Sequence, residues 1–262
     1  MRTYFFRYVQ IGVQQFGTLR AILALPSFVA SIPAWRRYNQ AQLATLKPEG
    51  FDARFGTDTE EMMNLGALGH IVSAPGRARD RVVHDYQTLS ADVVEVPLRM
   101  SLPPDRKDFV FVDLGCGKGK PLLVASRFPF KRIVGVDISE SVIAIARSNI
   151  ENFGKHEAAA SKERFELVVT PVESFVFPKE PLVVYMYNPF PPATMELVLD
   201  KLVASLRETR RDVLLMYVAP FRGLIEATSL FSEVPCVSPS GARLMVYATT
   251  PTDWAWPRPK TL

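Results

Sequence analysis

The chain has 262 residues, 48% of them hydrophobic and 22% charged, with 31 Lys and Arg against 27 Asp and Glu for a net charge of +4. That composition belongs to an ordinary globular protein, one large domain or a domain with an appendage, and excludes a disordered chain or a disulfide-stapled mini-protein. The two cysteines, Cys116 and Cys236, form no CxxC pair, and His70, His84 and His156 are scattered, so no metal site is expected.

Residues 1–56 carry seven Lys or Arg against Glu49 and Asp52, a local +5, whereas residues 109–262 amount to +2. A nucleic-acid reader spreads basic charge over its binding surface, so this distribution disfavours a nucleic-acid partner. Residues 4–25 predict a helix: Phe5, Val9, Val13, Phe16, Leu19 and Leu23 share one stripe, and Pro26 ends it. The uncharged stretch from Ala21 to Trp35 is too short and too broken by prolines to span a membrane. Because Arg36 and Arg37 follow it, it is also a poor signal peptide. The arm is expected to cap a cytoplasmic protein, with peripheral membrane or partner contact through residues 1–35 as the alternative.

Residues 36–65 are polar and turn-rich. Residues 76–100 predict one or two helices ending near Pro97, and Pro103-Pro104-Asp105 marks a boundary. Beyond it, apolar runs at 109–114, 132–137, 165–170, 182–187, 212–219 and 243–249 predict strands, with 231–237 as another. Helices are predicted at 121–127, at 140–153 with Ser139 as its cap, and at 192–207. Alternating strands and helices predict an α/β fold with a parallel sheet covered on both faces, whose ligand lies at the carboxyl ends of the strands.

The loop after the first strand reads Val112-Asp113-Leu114-Gly115-Cys116-Gly117-Lys118-Gly119-Lys120. A nicotinamide-binding G-x-G-x-x-G would need glycine at 120. A phosphate loop would need glycine at 114 and Ser or Thr at 121, where Leu114 and Pro121 stand. An acid at a strand end followed by G-x-G-x-G, with Asp137 closing the next strand, resembles the class I S-adenosylmethionine-dependent methyltransferases. The resemblance covers roughly residues 109–250. It implies a seven-stranded Rossmann-like methyltransferase sheet with helices on both faces, to which the N-terminal helical cap is added. The chain then divides into an arm or cap (1–56), a lid and helical lead-in (57–108), the methyltransferase core (109–250) and a tail (251–262).

The resemblance also assigns roles. S-adenosyl-L-methionine is the expected cofactor and S-adenosyl-L-homocysteine its product. Asp113 organises the loop and the amino-acid end of the cofactor. The backbone of Gly115 and Gly117 lies beside the methionine moiety, Gly119 completes the turn, and Cys116 fills it. Lys118 and Lys120 are expected in solvent, since this cofactor has no phosphates. Asp137, with Ile138 beside it, takes the ribose hydroxyls. Many members carry an Asp for the adenine after strand three. Here Pro171 stands in that place, and Val172 and Glu173 are the substitutes. Phe55-Gly56-Thr57-Asp58-Thr59 resembles the aromatic-Gly…Thr loop over the methionine end of the cofactor in seven-strand lysine methyltransferases. That similarity brings in Thr57 and Thr59, although the 58-residue gap to Asp113 is longer than in those enzymes. After strand four, Asn188-Pro189-Phe190 resembles the Asn-Pro-Pro-aromatic segment of amino-group methyltransferases. It implies that Asn188, which also touches the cofactor, aims an amine, that Phe190 walls the pocket and that Tyr187 reaches it. The expected reaction is N-methylation of a protein lysine or a small-molecule amine. A small-molecule O-methyltransferase and a non-catalytic cofactor-binding scaffold are the alternatives.

Overall fold

A computed structural model of the chain describes residues 50–61, 90–102, 107–158, 160–187, 190, 192–218, 223–226, 228, 230–236 and 244–249. The chain divides into two compact units, Met1–Ala44 and Thr45–Leu262. The division falls ahead of the expected boundary at residue 56, so residues 45–56 go with the second unit. The arm helix and the tail from 251 lie outside the described residues.

The second unit is built on a seven-stranded sheet. Its strands are β1 (Val110–Leu114), β2 (Arg132–Asp137), β3 (Phe165–Val169), β4 (Leu182–Tyr187), β5 (Val213–Val218), β6 (Phe231–Val234) and β7 (Leu244–Thr249), in the spatial order β3-β2-β1-β4-β5-β7-β6. The first five are mutually parallel. β7 runs antiparallel to both β5 and β6. The sheet is therefore mixed, where the apolar runs had predicted a parallel one. A continuous apolar strand reports burial on both faces and says nothing about direction.

β1 is buried at all five positions. Alternation along it divides the interior between two faces. Phe111 lies on one face with Tyr185, and Val112 and Leu114 lie on the other with Val184 and Met186. The first face is covered by α1 (Phe51–Phe55), α2 (Asp92–Ser101), α3 (Lys120–Ala125) and α4 (Glu140–Gly154). The second is covered by α5 (Pro192–Glu208) through Met195, Val198, Leu199, Leu202 and Leu206, the stripe expected from the 3.6-residue period. A four-residue helix α6 (Gly223–Glu226) follows β5.

Two helical features depart from expectation. α2 runs through Pro97 to Ser101 instead of stopping near it. Pro97 costs one backbone hydrogen bond, and burial of Val94 and Leu98 against the sheet offsets it. α1 was not expected at all. Its Phe51 and Phe55, one turn apart, both pack on Phe153 of α4, with ring centroids 5.8 and 4.7 Å away. No described helix is long and apolar enough to cross a membrane.

Candidate cofactor site

Strand order reverses between β1 and β4, and the crevice at the carboxyl ends of those strands is where ligands bind in open α/β sheets. The glycine loop, residues 115–119, leaves β1 at that point. Gly115, Gly117 and Gly119 all have positive φ. At Gly119, with φ of 87°, a Cβ would also stand 3.2 Å from the Ala146 Cβ of α4, so the loop sits tight against that helix. Gly135 on β2 has the same function from the other side. A Cβ there would come within 2.6 Å of Leu122, 3.0 Å of the Cys116 Sγ and 3.0 Å of Leu167. Cys116 is thus a filler in a closed space, and burial, reinforced by Asp137 and Asp113, pushes its thiol well up.

A glycine loop at a strand end can turn its N–H groups towards a ligand. This one spends several of them internally. The amides of Gly115 and Cys116 both donate to the Val136 carbonyl, at 2.8 and 3.0 Å, and that of Gly119 donates to Cys116 at 2.9 Å. The Gly117 amide donates to the Asp137 carboxylate at 3.0 Å. A phosphate cradle needs converging free amides, and these four are occupied.

Asp113 and Asp137 are what the loop does bring together. Asp137 also accepts from the Ser139 amide at 2.9 Å. Burial raises the Asp137 carboxyl, and the hydrogen bonds from Ser139, Gly117 and Ile138 partly oppose that. Asp113 is buried, and its Oδ2 has no hydrogen-bond partner among the described residues. Burial, and after it the charge of Asp137, pushes the Asp113 carboxyl well above the usual carboxylate range. A buried carboxylate oxygen with nothing to bind is costly. A cationic group placed there would satisfy it.

The Thr170 amide donates to the Asp137 carbonyl at 3.0 Å, setting the end of β3 beside the end of β2. Val172 and Glu173 then form a single 3₁₀ turn, with Val172 buried and Glu173 half-buried. Ile138 is half-buried next to Asp137. On β4, Tyr185 pairs with Asp113 and lies in the core, and Tyr187, two residues further, ends the strand half-buried. Phe190 packs against the core face that holds Met186 and Met195. Asn188 and Pro189 lie outside the described residues.

Thr57 and Thr59 take a different part from the one expected. Their hydroxyls donate to the Asp52 carboxylate at 2.7 and 2.8 Å, as do the amides of Thr59 and Glu60. Burial raises the Asp52 carboxyl, but the hydrogen bonds from Thr57, Glu60 and Thr59 outweigh it and hold the group below its ordinary value. The loop so folded reaches the lysines of the glycine loop. Lys118 Nζ is 2.6 Å from Asp58, and Lys120 Nζ is 3.7 Å from Glu60 and 4.9 Å above the Phe51 ring. Both lysines are buried, at 1% and 3% exposure, where solvent was expected. The acids that permit this lie 60 positions away in the chain, out of reach of any local pattern. Asn149, Asp52, Asp58, Glu60 and Gly135 were not among the expected site residues. An open groove of about 400 Å³ lies between residues 56–58 and α4; Asp113 and Asp137 do not line it.

Residues 105–199 match the family described as "Methyltransferase domain". An uncharacterized protein of Haemophilus influenzae is 29% identical over 101 residues, which are 36% of this chain and 38% of that protein. The match therefore spans well under half of that relative. Among solved structures, a predicted N6-adenine-specific DNA methylase from Listeria monocytogenes has a TM-score of 0.47 and 12% identity, over 62% of this chain and 51% of its own. An RNA methyltransferase from Salinibacter ruber in complex with S-adenosyl-L-homocysteine has a TM-score of 0.42 and 18% identity, over 67% and 95%. The segment 105–199 is thus similar in sequence to a methyltransferase domain. The orphaned Asp113 carboxylate, the adjoining Asp137 and the occupied loop amides suit S-adenosylmethionine, a cationic ligand without phosphates.

Proposed function

We propose that the protein is an S-adenosylmethionine-dependent methyltransferase acting on an amine nitrogen, of a protein lysine or of a small molecule. The observation that carries the cofactor reading is the buried Asp113 carboxylate, with one unpartnered oxygen, at the head of the glycine loop. Asp113 would hold the α-ammonium of the cofactor, Asp137 its ribose hydroxyls, and Val172 with Glu173 the adenine edge. S-adenosylmethionine, when bound, supplies an electrophilic methyl on a sulfonium.

The choice of nitrogen rests on Asn188-Pro189-Phe190 after β4. A nucleophilic amine must be unprotonated and aligned within about 3–3.5 Å of the methyl. A free lysine amine has a pKa of about 10.4, so a dry pocket that disfavours the cation favours attack. The Asn188 side-chain oxygen accepts the amine's hydrogens and aims its lone pair. Phe190 and Tyr187 exclude water, and an aromatic face near the product stabilises its positive charge. No general base is needed in the pocket.

Incubation with methyl-labelled cofactor and separated acceptor pools tests this reading. Label is expected on amine nitrogens of proteins or small molecules. Label confined to hydroxyl oxygens or to nucleic acid would overturn the amine assignment. Cofactor binding with no transfer to any pool would make the protein a scaffold.

A further inference from the structure

The segment 51–60, which has no part in the proposed transfer step, is joined to the glycine loop. Asn149, on α4, is the joint. Its amide nitrogen donates to the Lys118 carbonyl and to the Asp58 carbonyl, both at 2.9 Å, and its Oδ1 accepts from the Asp58 amide at 2.7 Å. One buried side chain, 2% exposed, thus ties together two loops 60 positions apart. The Asp58 carboxylate closes the figure on the Lys118 ammonium at 2.6 Å. Asn152, one turn further along α4, donates to the Gly56 carbonyl at 2.9 Å. Asp52 folds the same segment so that Asp58 and Glu60 face the loop.

Lys118 follows Gly117, whose amide holds the Asp137 carboxylate. A shift of the Lys118 carbonyl therefore moves the peptide that sets Asp137. We propose that Asn149 and Asp58 are positioning residues, a clasp that holds the glycine loop in the shape the cofactor needs, so that cofactor affinity depends on side chains that do not touch it. This rests on the cofactor reading above. A buried amide satisfied on both ends locks two backbones at once, and no apolar residue of similar size can do so.

Asn149→Asp supplies a test in which protonation restores part of the lost function. An ionised Asp can accept from the Asp58 amide but sets an acceptor oxygen against two carbonyls. A protonated Asp regains one donor, enough for one of the two carbonyls. S-adenosylhomocysteine affinity is measured by calorimetry for wild type and variant, at neutral pH and in mildly acidic buffer. The variant is expected to bind at least about tenfold more weakly at neutral pH and to regain at least about threefold of that loss in acid. Asp58 and Lys118 are the charged groups facing position 149, with Glu60 and Lys120 beyond them. Asp113 and Asp137 titrate in both proteins and cancel in the ratio. Asp58→Asn, at a half-exposed position, provides a second variant with an expected loss of about three- to tenfold. Amide exchange at residues 115–119, measured without ligand, is expected to speed up in both variants. Affinities within about twofold of wild type, an equal loss at both pH values, or unchanged exchange would overturn the clasp. Should wild type fail to bind S-adenosylhomocysteine, the cofactor reading falls, and the exchange measurement alone decides the clasp.

Discussion

Asp113 shows how burial is turned into a binding preference. In the cofactor-free protein its raised pKa means that it holds a proton over a pH range in which the unfolded chain has lost it. Its contribution to stability therefore falls as pH rises from its ordinary value through the raised one. A bound ammonium favours the carboxylate instead, so cofactor binding should release a proton and affinity should rise with pH across the same window. Asp113→Asn is expected to weaken binding by about 1.5–3 kcal/mol and to flatten that part of the pH profile, both readable by calorimetry in buffers of different ionisation enthalpy. Asn188 belongs to the other half of the reaction. Asn188→Ala should lower turnover by about 10²–10³ with a much smaller change in cofactor affinity, because the interaction is strongest in the transition state. Turnover within threefold of wild type would point to an oxygen acceptor. The loop glycines, Asp113 and Asp137 were expected from the family resemblance that the G-x-G-x-G loop carries. The buried state of Lys118 and Lys120 could not, since it depends on Asp58 and Glu60 from a distant segment.

At the level of elements, β2 and β4 have the bounds that their apolar runs predict, because a strand buried on both faces is marked by its composition at either end. Pairing direction leaves no such mark, so the strand expected at 243–249 is present as β7 but its antiparallel direction was missed. α1 was missed because five residues between two left-handed glycines, Gly50 and Gly56, give too short a window for periodicity, although Phe51 and Phe55 stand one turn apart. Asn149 did leave a signal: it is a polar residue on the buried stripe Val142, Ala146, Ile150 and Phe153 of α4, where only a satisfied side chain can stay. Close approach of β2 to the glycine loop and α3 makes a further prediction. Gly135→Ala forces Leu122, Cys116 and Leu167 apart and should destabilise the domain by about 1–3 kcal/mol. A denaturation midpoint unchanged from wild type would mean that the core yields there without strain.

For the whole molecule, the division between Ala44 and Thr45 leaves the sheet, the clasp and both core faces within one unit. A chain of residues 45–262 is therefore expected to fold cooperatively and to bind S-adenosylhomocysteine as the full chain does, while the basic arm affects only acceptor use or surface association. A truncated chain that fails to fold would make the arm part of the core. Cofactor binding turns on one cradle, in which a buried carboxylate suited to a cation lies beside a loop whose amides are occupied. Calorimetric titration of the full chain with S-adenosylhomocysteine, with NAD as the comparison ligand and Asp113→Asn as the comparison protein, tests it most directly. Binding of S-adenosylhomocysteine, its marked loss in Asp113→Asn and no heat with NAD is the expected result. Binding of NAD with no response to S-adenosylhomocysteine would contradict it.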